Sequence, residues 1–431
     1  MILVPNCQRP SNGNSCNVMA PKPRGSQLWF KAWWGILVLF SVASCIPRVG
    51  VVQPSSEPAP RVEEETPEEV VEEESIAPIV HEVALLLPFQ LNNSGAAPSS
   101  SDVQRAALAL DFYQGFKLGL ERRTSEGAHF KLNVLDSRDS EDEVRLLARS
   151  EGVSEAALVV GPIFPREIEA FAAAAGLKER AVLQISPLAA TMPSEFNLPN
   201  LVSITSPILT HVRAMAHEVV KHYKPGDAVF LYETAEASSE QFLSPLKAMI
   251  LQLNRNVAVY EVSTVERLQE LIRFPGNNLI VSGSTNRFQI ISLLAHMRQF
   301  RDETGHQFQL FGHPNWAKIS FSAQDALEEF NTQITSTYFI DQRQTEVRDF
   351  QAWYKSEYEV EPTEFSYKGY DAAMYFGRLL DQYGADYKDY LVETPYEGLH
   401  NTFEFQFHSQ WGYVNQSVHF LRFRNGQFVR Q

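Results

Sequence analysis

The sequence predicts an α/β protein with two lobes, each built around a doubly wound, mainly parallel sheet. Short apolar runs alternate with segments of helical periodicity from about residue 81, which is typical of parallel β-α-β units. The alternation forms two series separated by segment 200–207, so two similar sheets are expected. A chain of 431 residues with 44% hydrophobic content can bury the large core that two lobes require.

The first series starts at 83–87, an apolar run that is too short for a helix and suits a strand buried on both faces. Helices are predicted at 105–122, 141–148 and 165–175, and strands at 130–135, 157–160 and 181–185. These elements and their connections define a first lobe over 81–206.

The second series defines a second lobe over 207–342. Helices are predicted at 209–223, 239–253, 264–273 and 287–301, and strands at 228–232, 256–262, 278–282 and 307–312. Segments 200–207 and about 334–342 are predicted crossovers between the lobes. Residues of about 343–397, with helices at 345–358 and 366–383, then return to the first lobe, and the hairpin-like tail 398–431 returns to the second. Two lobes joined in this way enclose a cleft, which commonly closes on a ligand by hinge motion.

The first 44 residues resemble a bacterial lipoprotein signal peptide. Basic residues precede the apolar stretch 33–40, which is too short to span a bilayer. Residues 42–45 read Val-Ala-Ser-Cys and resemble a lipobox, so Cys45 is the predicted lipidation site. The alternative is an ordinary secretory signal in which the Cys occurs by chance. Residues 1–18 are unlike a signal peptide, which makes Met19 a candidate for the true start.

Residues 45–80 form a Pro- and Glu-rich segment that is predicted to be an extended tether. Its nine Glu residues repel one another, and its prolines interrupt helices. Removing 1–44, which holds four basic and no acidic residues, takes the formal net charge from −15 to about −19. We therefore expect no binding of nucleic acid, which needs clustered Lys and Arg. The cysteines are Cys7, Cys16 and Cys45, so no disulfide can form after Cys45.

Four segments, in their order along the chain, resemble type I periplasmic-binding-protein domains of the leucine-binding type. They are VALLLPF at 83–89, FYQGFKLG at 112–119, VGP at 160–162 and QISPLA at 184–189. The resemblance extends over most of 81–431. It implies two lobes, three crossovers and a cleft lined by loops at the carboxyl ends of strands. The chain also resembles the outer-membrane lipoprotein activator of a bifunctional peptidoglycan synthase.

The resemblance also implies how a ligand would be held, and this chain departs from that pattern. Amino-acid-binding members hold the ligand carboxylate with hydroxyls and backbone N–H groups of two first-lobe loops, and the ammonium with a second-lobe acid. Here the first loop, 161–165, reads GPIFP and lacks a hydroxyl, whereas the second keeps Ser186 and Thr191. The second-lobe turn, 312–316, reads GHPNW and has no acid. A buried ammonium without a carboxylate is costly, which argues against leucine-type binding.

Residues just past the predicted strands are the candidates for the cleft lining, although each could instead be an ordinary loop residue or an aromatic packing between lobes. They are Phe89, Phe164, Ser186, Thr191, Tyr232, Ser284, Asn286, His313 and Trp316. As a set they predict a cleft with aromatic walls and few charges.

The sequence contains no complete catalytic or metal-binding motif. His217 and His222 are five residues apart, so on a helix they point to different faces and cannot share a metal as i, i+4 histidines do. Ser244 and Lys247 match the Ser-x-x-Lys motif of penicillin-interacting enzymes, but no Lys-Thr-Gly accompanies them. We expect a protein that is not an enzyme and that uses no metal and no cofactor.

Two functional hypotheses remain. In the first, a lipid-anchored protein captures a small solute, such as an amino acid or a peptide-like molecule, for uptake or sensing. In the second, the fold is a scaffold or regulatory lipoprotein that contacts an envelope enzyme such as a peptidoglycan synthase and binds no small ligand. Both place the chain in the bacterial cell envelope. Because Ile46, not Asp, follows Cys45, attachment to the outer membrane facing the periplasm is expected.

Overall fold

Two seven-stranded sheets form the framework of the chain. The computed structural model describes residues 78–91, 99–188 and 191–431. The predicted signal peptide, the lipidation site at Cys45 and the tether up to residue 77 lie outside these ranges. Residues Glu74–Gln431 belong to one compact unit.

The first series alternates strands and helices as the sequence predicts. Its strands are β1 (Val80–Leu87), β2 (His129–Asp136), β3 (Leu158–Val160), β4 (Leu183–Ser186) and β5 (Leu201–Ser203). Its helices are α1 (Ser100–Ser125), α2 (Glu141–Leu147), α3 (Glu151–Ser154), α4 (Pro165–Ala175), α5 (Leu177–Arg180) and α6 (Pro193–Phe196).

The second series continues this alternation, and a tail follows it. Its helices are α7 (Ile208–His222), α8 (Ala237–Leu253), α9 (Val265–Leu271) and α10 (Arg287–Thr304), and its strands are β6 (Ala228–Tyr232), β7 (Val259–Val262), β8 (Asn277–Ser282), β9 (Gln307–Gly312) and β10 (Gln333–Ser336). A 3-10 helix, Pro314–Lys318, lies between β9 and β10. The tail contains α11 (Thr345–Tyr358), α12 (Glu364–Tyr383), a 3-10 helix (Gly384–Tyr390), β11 (Tyr396–Glu397), β12 (Thr402–Phe403), β13 (Phe405–His408), β14 (Gly412–Asn415), β15 (His419–Arg424) and β16 (Gln427–Arg430).

The first sheet has the strand order β13-β14-β5-β4-β3-β1-β2, and the second has the order β16-β15-β10-β9-β8-β6-β7. In the first sheet β1 pairs in parallel with both neighbours, and Leu85 lies opposite Val134 and Val160. The apolar run 83–87 is fully buried, as expected for a strand covered on both faces. Strand β13 and the β15–β16 hairpin are antiparallel additions at the sheet edges. The predicted two-lobed α/β fold with mainly parallel sheets is therefore confirmed.

Helices α1 and α12 pack closely together because glycines lie at their contact. A Cβ atom at Gly115 would lie 1.8 Å from Ser366 O, and one at Gly369 would lie 2.1 Å from Phe112 O. Thr363 and Ser366 form a capping box that fixes the start of α12. Both helices contribute apolar side chains to the core beneath the first sheet, so α12 has a fixed position in the first lobe.

Within the described ranges, three crossovers connect the lobes: between β5 and α7, after β10, and between β14 and β15. The first and third lie side by side, since Ser206 Oγ donates to Ser417 O at 2.7 Å and Asn415 Nδ2 donates to Ile204 O at 3.0 Å. The second is held by the Phe339 N–H, which donates to a backbone carbonyl of the tail at 3.0 Å. The number of crossovers is the one that the family resemblance implies.

Three details differ from the sequence-based expectations. Segments 200–207 and 334–342, predicted as crossovers, contain or adjoin the short strands β5 and β10, which pair with β4 and β9. Both strands include polar residues, LVS in β5 and QITS in β10, so neither forms the apolar run that identifies a buried strand. The tail 398–431 was expected to join the second lobe as a whole, but β13 and β14 extend the first sheet. An alternating pattern predicts a hairpin without indicating which sheet edge accepts it.

Among the described helices, none combines the length and the apolar character needed to cross a bilayer.

Candidate functional site

A cleft of about 750 Å³ lies between the lobes, beside the carboxyl ends of β4, β5, β9 and β10. This volume is in the range of small-molecule sites. The first lobe contributes Leu188, Thr191, Met192, Glu195 and Lys368. The crossovers contribute Thr205, Ser206, Ser336, Thr337 and Tyr338. The second lobe contributes a mainly polar set that includes His211, Ser238, Gln241, His313, Asn315 and Lys318.

Lys368 of α12 is a buried cation in the wall of this cleft. The residue is only 8% exposed, and its Nζ lies 5.7 Å from the centre of the Tyr338 ring and 5.5 Å from that of Phe365. Its Nζ forms no hydrogen bond or ion pair with a residue that the structure describes. Burial lowers the pKa of Lys368 to about 8, and the charge of Glu364 partly opposes this effect. The ammonium is therefore poorly compensated by the protein itself.

A stacked pair of rings lies next to Lys368. Tyr338 stacks on His400 with 4.5 Å between ring centres and 7° between ring planes. Burial lowers the pKa of His400 to about 3, so this ring is neutral near pH 7. The His400 N–H donates to Asp371 Oδ2 at 2.9 Å, and the N–H groups of both neighbouring residues donate to the same carboxylate. Asp371, one turn after Lys368, thus fixes the loop that carries His400.

Two buried histidines of the second lobe line the cleft. His211 Nδ1 lies 2.9 Å from Thr335 Oγ1, and His313 Nδ1 accepts a hydrogen bond from the Asn315 N–H at 3.1 Å. Burial lowers the pKa of His211 to about 3 and that of His313 to about 4. Both rings are therefore neutral near pH 7, where they offer hydrogen-bonding atoms rather than charge.

An ion pair joins the lobes at the cleft. Lys318 Nζ, at the end of the 3-10 helix of the second lobe, lies 3.3 Å from Glu364 Oε1, at the start of α12 in the first lobe. The acidic residue among the described lining residues is Glu195, which is exposed on the short helix α6. The cationic ones are Lys318 and Lys368. Because Lys318 is paired with Glu364, Lys368 is the cation of the described wall that lacks an ion-pair partner.

Among the predicted lining residues of the first lobe, the structure places Thr191 in the cleft wall. Phe89 and Phe164 instead pack against the core of the first lobe, where Phe89 meets the Tyr113 ring edge-on at 5.9 Å. Ser186, at the end of β4, is 1% exposed, and its Oγ has no hydrogen-bond partner in the described part of the chain. These three side chains turn inward from the strand ends.

Among the predicted residues of the second lobe, His313 lines the cleft and the other four do not. Trp316 is fully buried in the core of the lobe, and its Nε1 donates to Ser284 O at 2.7 Å. Asn286 caps α10, and Tyr232 packs against the same core as Trp316. Their position after strands is as expected, but their side chains stabilise the lobe rather than face the other one.

Lys368, Lys318 and Tyr338 line the cleft although they are not among the lining residues predicted from the sequence. Lys368 lies on the buried face of α12, between Phe365 and Ala372 at helical spacing, and a charged residue on such a face is a signal that could have indicated it. Lys318 and Tyr338 lie in a short 3-10 helix and a crossover, where no periodic pattern distinguishes lining residues from other loop residues.

The His217–His222 pair does not form a metal site. His217 is exposed, whereas His222 Nδ1 lies 2.9 Å from Glu218 O of its own helix. Within the described ranges, no group of three or more His, Cys, Asp or Glu side chains is placed to hold a metal ion.

No protein-family model and no curated protein matches this chain. Solved structures match most of its length. A Rhodospirillum rubrum protein assigned to branched-chain amino acid ABC transport is 16% identical, covers 82% of this chain and 100% of its own, and has a TM-score of 0.58. An ABC-type branched-chain amino acid transporter of Rhodopseudomonas palustris is 14% identical, covers 81% of this chain and 94% of its own, and has a TM-score of 0.56.

An ABC transporter substrate-binding protein of Desulfitobacterium hafniense, in complex with Leu, is 13% identical to this chain. The match covers 82% of this chain and 100% of that one, with a TM-score of 0.51. At such identities the similarity establishes the fold. The chain therefore has the two-lobed α/β fold of type I periplasmic-binding proteins, as its sequence predicts.

Proposed function

We propose that this chain is a non-catalytic solute-binding protein that holds a small molecule between its lobes, for uptake or sensing. The observation that carries the proposal is the cleft of about 750 Å³, to which both lobes and the crossovers contribute side chains. A ligand in this position contacts both lobes and favours their closed arrangement. The similarity to a substrate-binding protein in complex with Leu supports this use of the fold.

The protein is expected to be attached to the bacterial envelope through a lipid on Cys45, with residues 45–80 as the tether. The support comes from the sequence, in which basic residues, an apolar stretch and a lipobox-like ending follow in order. Outer-membrane attachment is the expected location because Ile46 follows Cys45. The substitution Cys45→Ser should abolish labelling by palmitate, because it removes the thiol that is acylated. Continued labelling of that variant would contradict the anchor.

Thermal unfolding of the Glu74–Gln431 unit in the presence of candidate ligands tests the binding function. The panel contains amino acids, peptides, muropeptides, and small carboxylates with their amides. A ligand that binds only the folded state stabilises it by about 2.7 kcal/mol at a concentration 100 times its Kd, and therefore raises the Tm. A cooperative unfolding transition that no compound shifts would contradict ligand binding and leave the scaffold hypothesis.

A further inference from the structure

We propose that the cleft binds a small anionic molecule through its carboxylate group. Lys368 is the residue that binds this carboxylate. The inference rests on the proposed function and names the chemical class of its ligand. It starts from the position of Lys368, which is 8% exposed and contributes to the wall of the cleft between the lobes.

Lys368 is 8% exposed, and no described residue forms an ion pair or a hydrogen bond with its Nζ. Burying a charge that is neither paired nor hydrogen-bonded destabilises a fold. Lys368 Nζ lies 5.7 Å from the centre of the Tyr338 ring and 5.5 Å from that of Phe365, and the charge of Glu364 acts on it without forming an ion pair. Such cation–π contacts offset only a part of the cost. A ligand carboxylate in the cleft would supply the missing counter-charge.

The neighbouring acidic side chains are paired elsewhere or exposed. Glu364, whose charge acts on Lys368, forms its ion pair with Lys318 at 3.3 Å. The histidines that line or adjoin the cleft, His211, His313 and His400, are kept neutral by burial. Glu195 is an acid at the wall, but it is exposed to water on α6.

The second-lobe wall lacks a partner for a ligand ammonium. Its described lining offers hydroxyl, amide and imidazole groups, for example those of Ser238, Gln241 and His313. Its charged side chain is that of Lys318. A free amino acid brings an ammonium next to its carboxylate, and that ammonium would meet a cationic or neutral wall. The chemistry of the cleft therefore fits a carboxylate without a neighbouring ammonium.

Matched ligand sets test the inference by thermal unfolding and calorimetry of the Glu74–Gln431 unit. Each set pairs a carboxylate with its uncharged amide: 4-methylpentanoate with 4-methylpentanamide, benzoate with benzamide, and succinate with succinamide. Leucine serves as the zwitterion with the carbon skeleton of 4-methylpentanoate, and inorganic phosphate distinguishes a general oxyanion site from a carboxylate site. We expect at least one carboxylate to raise the Tm at concentrations at which its amide and phosphate do not.

The outcomes separate this inference from the proposed function. Stabilisation by leucine or by amides, without any stabilisation by carboxylates, would overturn the anion inference and leave the solute-binding function standing. Stabilisation by phosphate as strong as by the carboxylates would overturn carboxylate selectivity. A panel without any stabilising compound would count against both.

Substitution of Lys368 tests the residue itself. Lys368→Met removes the charge and keeps an unbranched apolar side chain, so we expect the unliganded Tm to stay constant or rise and carboxylate affinity to fall at least tenfold. Lys368→Arg, which keeps the charge, should retain more of the affinity. Lys178→Met removes an exposed lysine of the first lobe and should change neither quantity. A lower unliganded Tm of Lys368→Met with unchanged carboxylate affinity would show that Lys368 only stabilises the fold.

The pH dependence of the unsubstituted protein provides a test that does not depend on a variant folding. Because burial lowers the pKa of Lys368 to about 8, carboxylate affinity should decrease as the pH rises above about 8, while benzoate and 4-methylpentanoate stay ionised. The neutral imidazoles do not titrate in this range, and Asp371, whose pKa burial raises to about 7, is ionised above pH 8, where the affinity should fall. A carboxylate affinity that is constant between about pH 6.5 and 9.5 would contradict binding by Lys368.

Discussion

Lys318 Nζ in the second lobe lies 3.3 Å from Glu364 Oε1 in the first, so an ion pair joins the two lobes beside the ligand cleft. The two side chains are 57% and 27% exposed, and solvent therefore screens their attraction. Pairs of this kind contribute between about 0 and 1 kcal/mol. Such an energy can bias an equilibrium between open and closed lobes without fixing it in one state.

Lys318→Met should therefore shift the lobes towards the open arrangement, by up to about fivefold in population. Small-angle scattering of the unliganded protein should show a larger radius of gyration for the variant at low salt, and a smaller difference at high salt. Lys221→Met is the matched control, because Lys221 pairs with Glu218 at 3.1 Å within a single helix of the second lobe. An equal change in both variants would argue against an interlobe effect.

Asp371→Ala should destabilise the fold strongly, by at least about 3 kcal/mol in the free energy of unfolding. The carboxylate is fully buried and accepts three backbone N–H hydrogen bonds, from Leu399 at 2.8 Å, His400 at 2.9 Å and Asn401 at 2.7 Å. Alanine leaves these buried donors without an acceptor. Urea unfolding measures the change, and the exposed Asp386→Ala provides a control that should alter stability by less than about 0.5 kcal/mol.

The sequence predicts the fold well because most helices and strands of the two sheets show long apolar patterns or are bounded by residues that start and end them. The helix α4, for instance, starts with Pro165 and ends before Gly176, whose φ of 58° suits glycine, and its predicted bounds match the structure. The strands β5 (LVS) and β10 (QITS) are short and include polar residues, so they lack the continuous apolar run that marks a buried strand such as β1. The sheet edge that each terminal hairpin joins depends on tertiary contacts and cannot be derived from alternation.

The candidate site is predicted less well, because the position of a residue after a strand does not determine where its side chain points. Trp316 and His313 belong to the same turn after β9, yet His313 lines the cleft while the Trp316 ring lies against Gly312 and enters the core. Lys368 reaches the cleft from the second turn of α12, a helix that begins 178 residues after the end of β4. Sequence patterns identify elements, whereas the cleft depends on how distant elements pack.

Trp316→Phe should lower the stability of the protein by about 1–3 kcal/mol without changing the affinity for any cleft ligand. The substitution removes the Nε1–H that donates to Ser284 O at 2.7 Å and leaves a buried carbonyl without that partner, besides creating a small cavity. Chemical unfolding and calorimetric ligand titration give the two quantities. Trp411→Phe, at a half-buried position in the β13–β14 turn, is the control for a general effect of losing an indole. A tenfold loss of ligand affinity in Trp316→Phe would show that Trp316 contributes to ligand binding after all.

Glu167 makes the stability of the first lobe depend on pH. The residue is fully buried on α4, and its Oε1 accepts a hydrogen bond from the Ser140 N–H at 3.1 Å. Burial raises the pKa of Glu167 from its ordinary value of 4.5 to about 7. The unfolded chain releases this proton above about pH 4.5, whereas the folded chain retains it up to about pH 7. The free energy of unfolding therefore falls across that interval, by up to about 3 kcal/mol.

Glu167→Gln should remove this dependence, because glutamine keeps an oxygen that accepts the Ser140 N–H and carries no charge at any pH. The variant should be more stable than the unsubstituted protein at pH 8, by about 2–3 kcal/mol, and equally stable at pH 4, where Glu167 is protonated in both states. Urea unfolding at the two pH values measures the difference. Glu169→Gln, on the exposed face of the same helix, should show no such contrast between the pH values. A gain of the same size for Glu167→Gln at pH 4 and pH 8 would mean that packing, not ionisation of the buried carboxyl, limits the stability of this lobe.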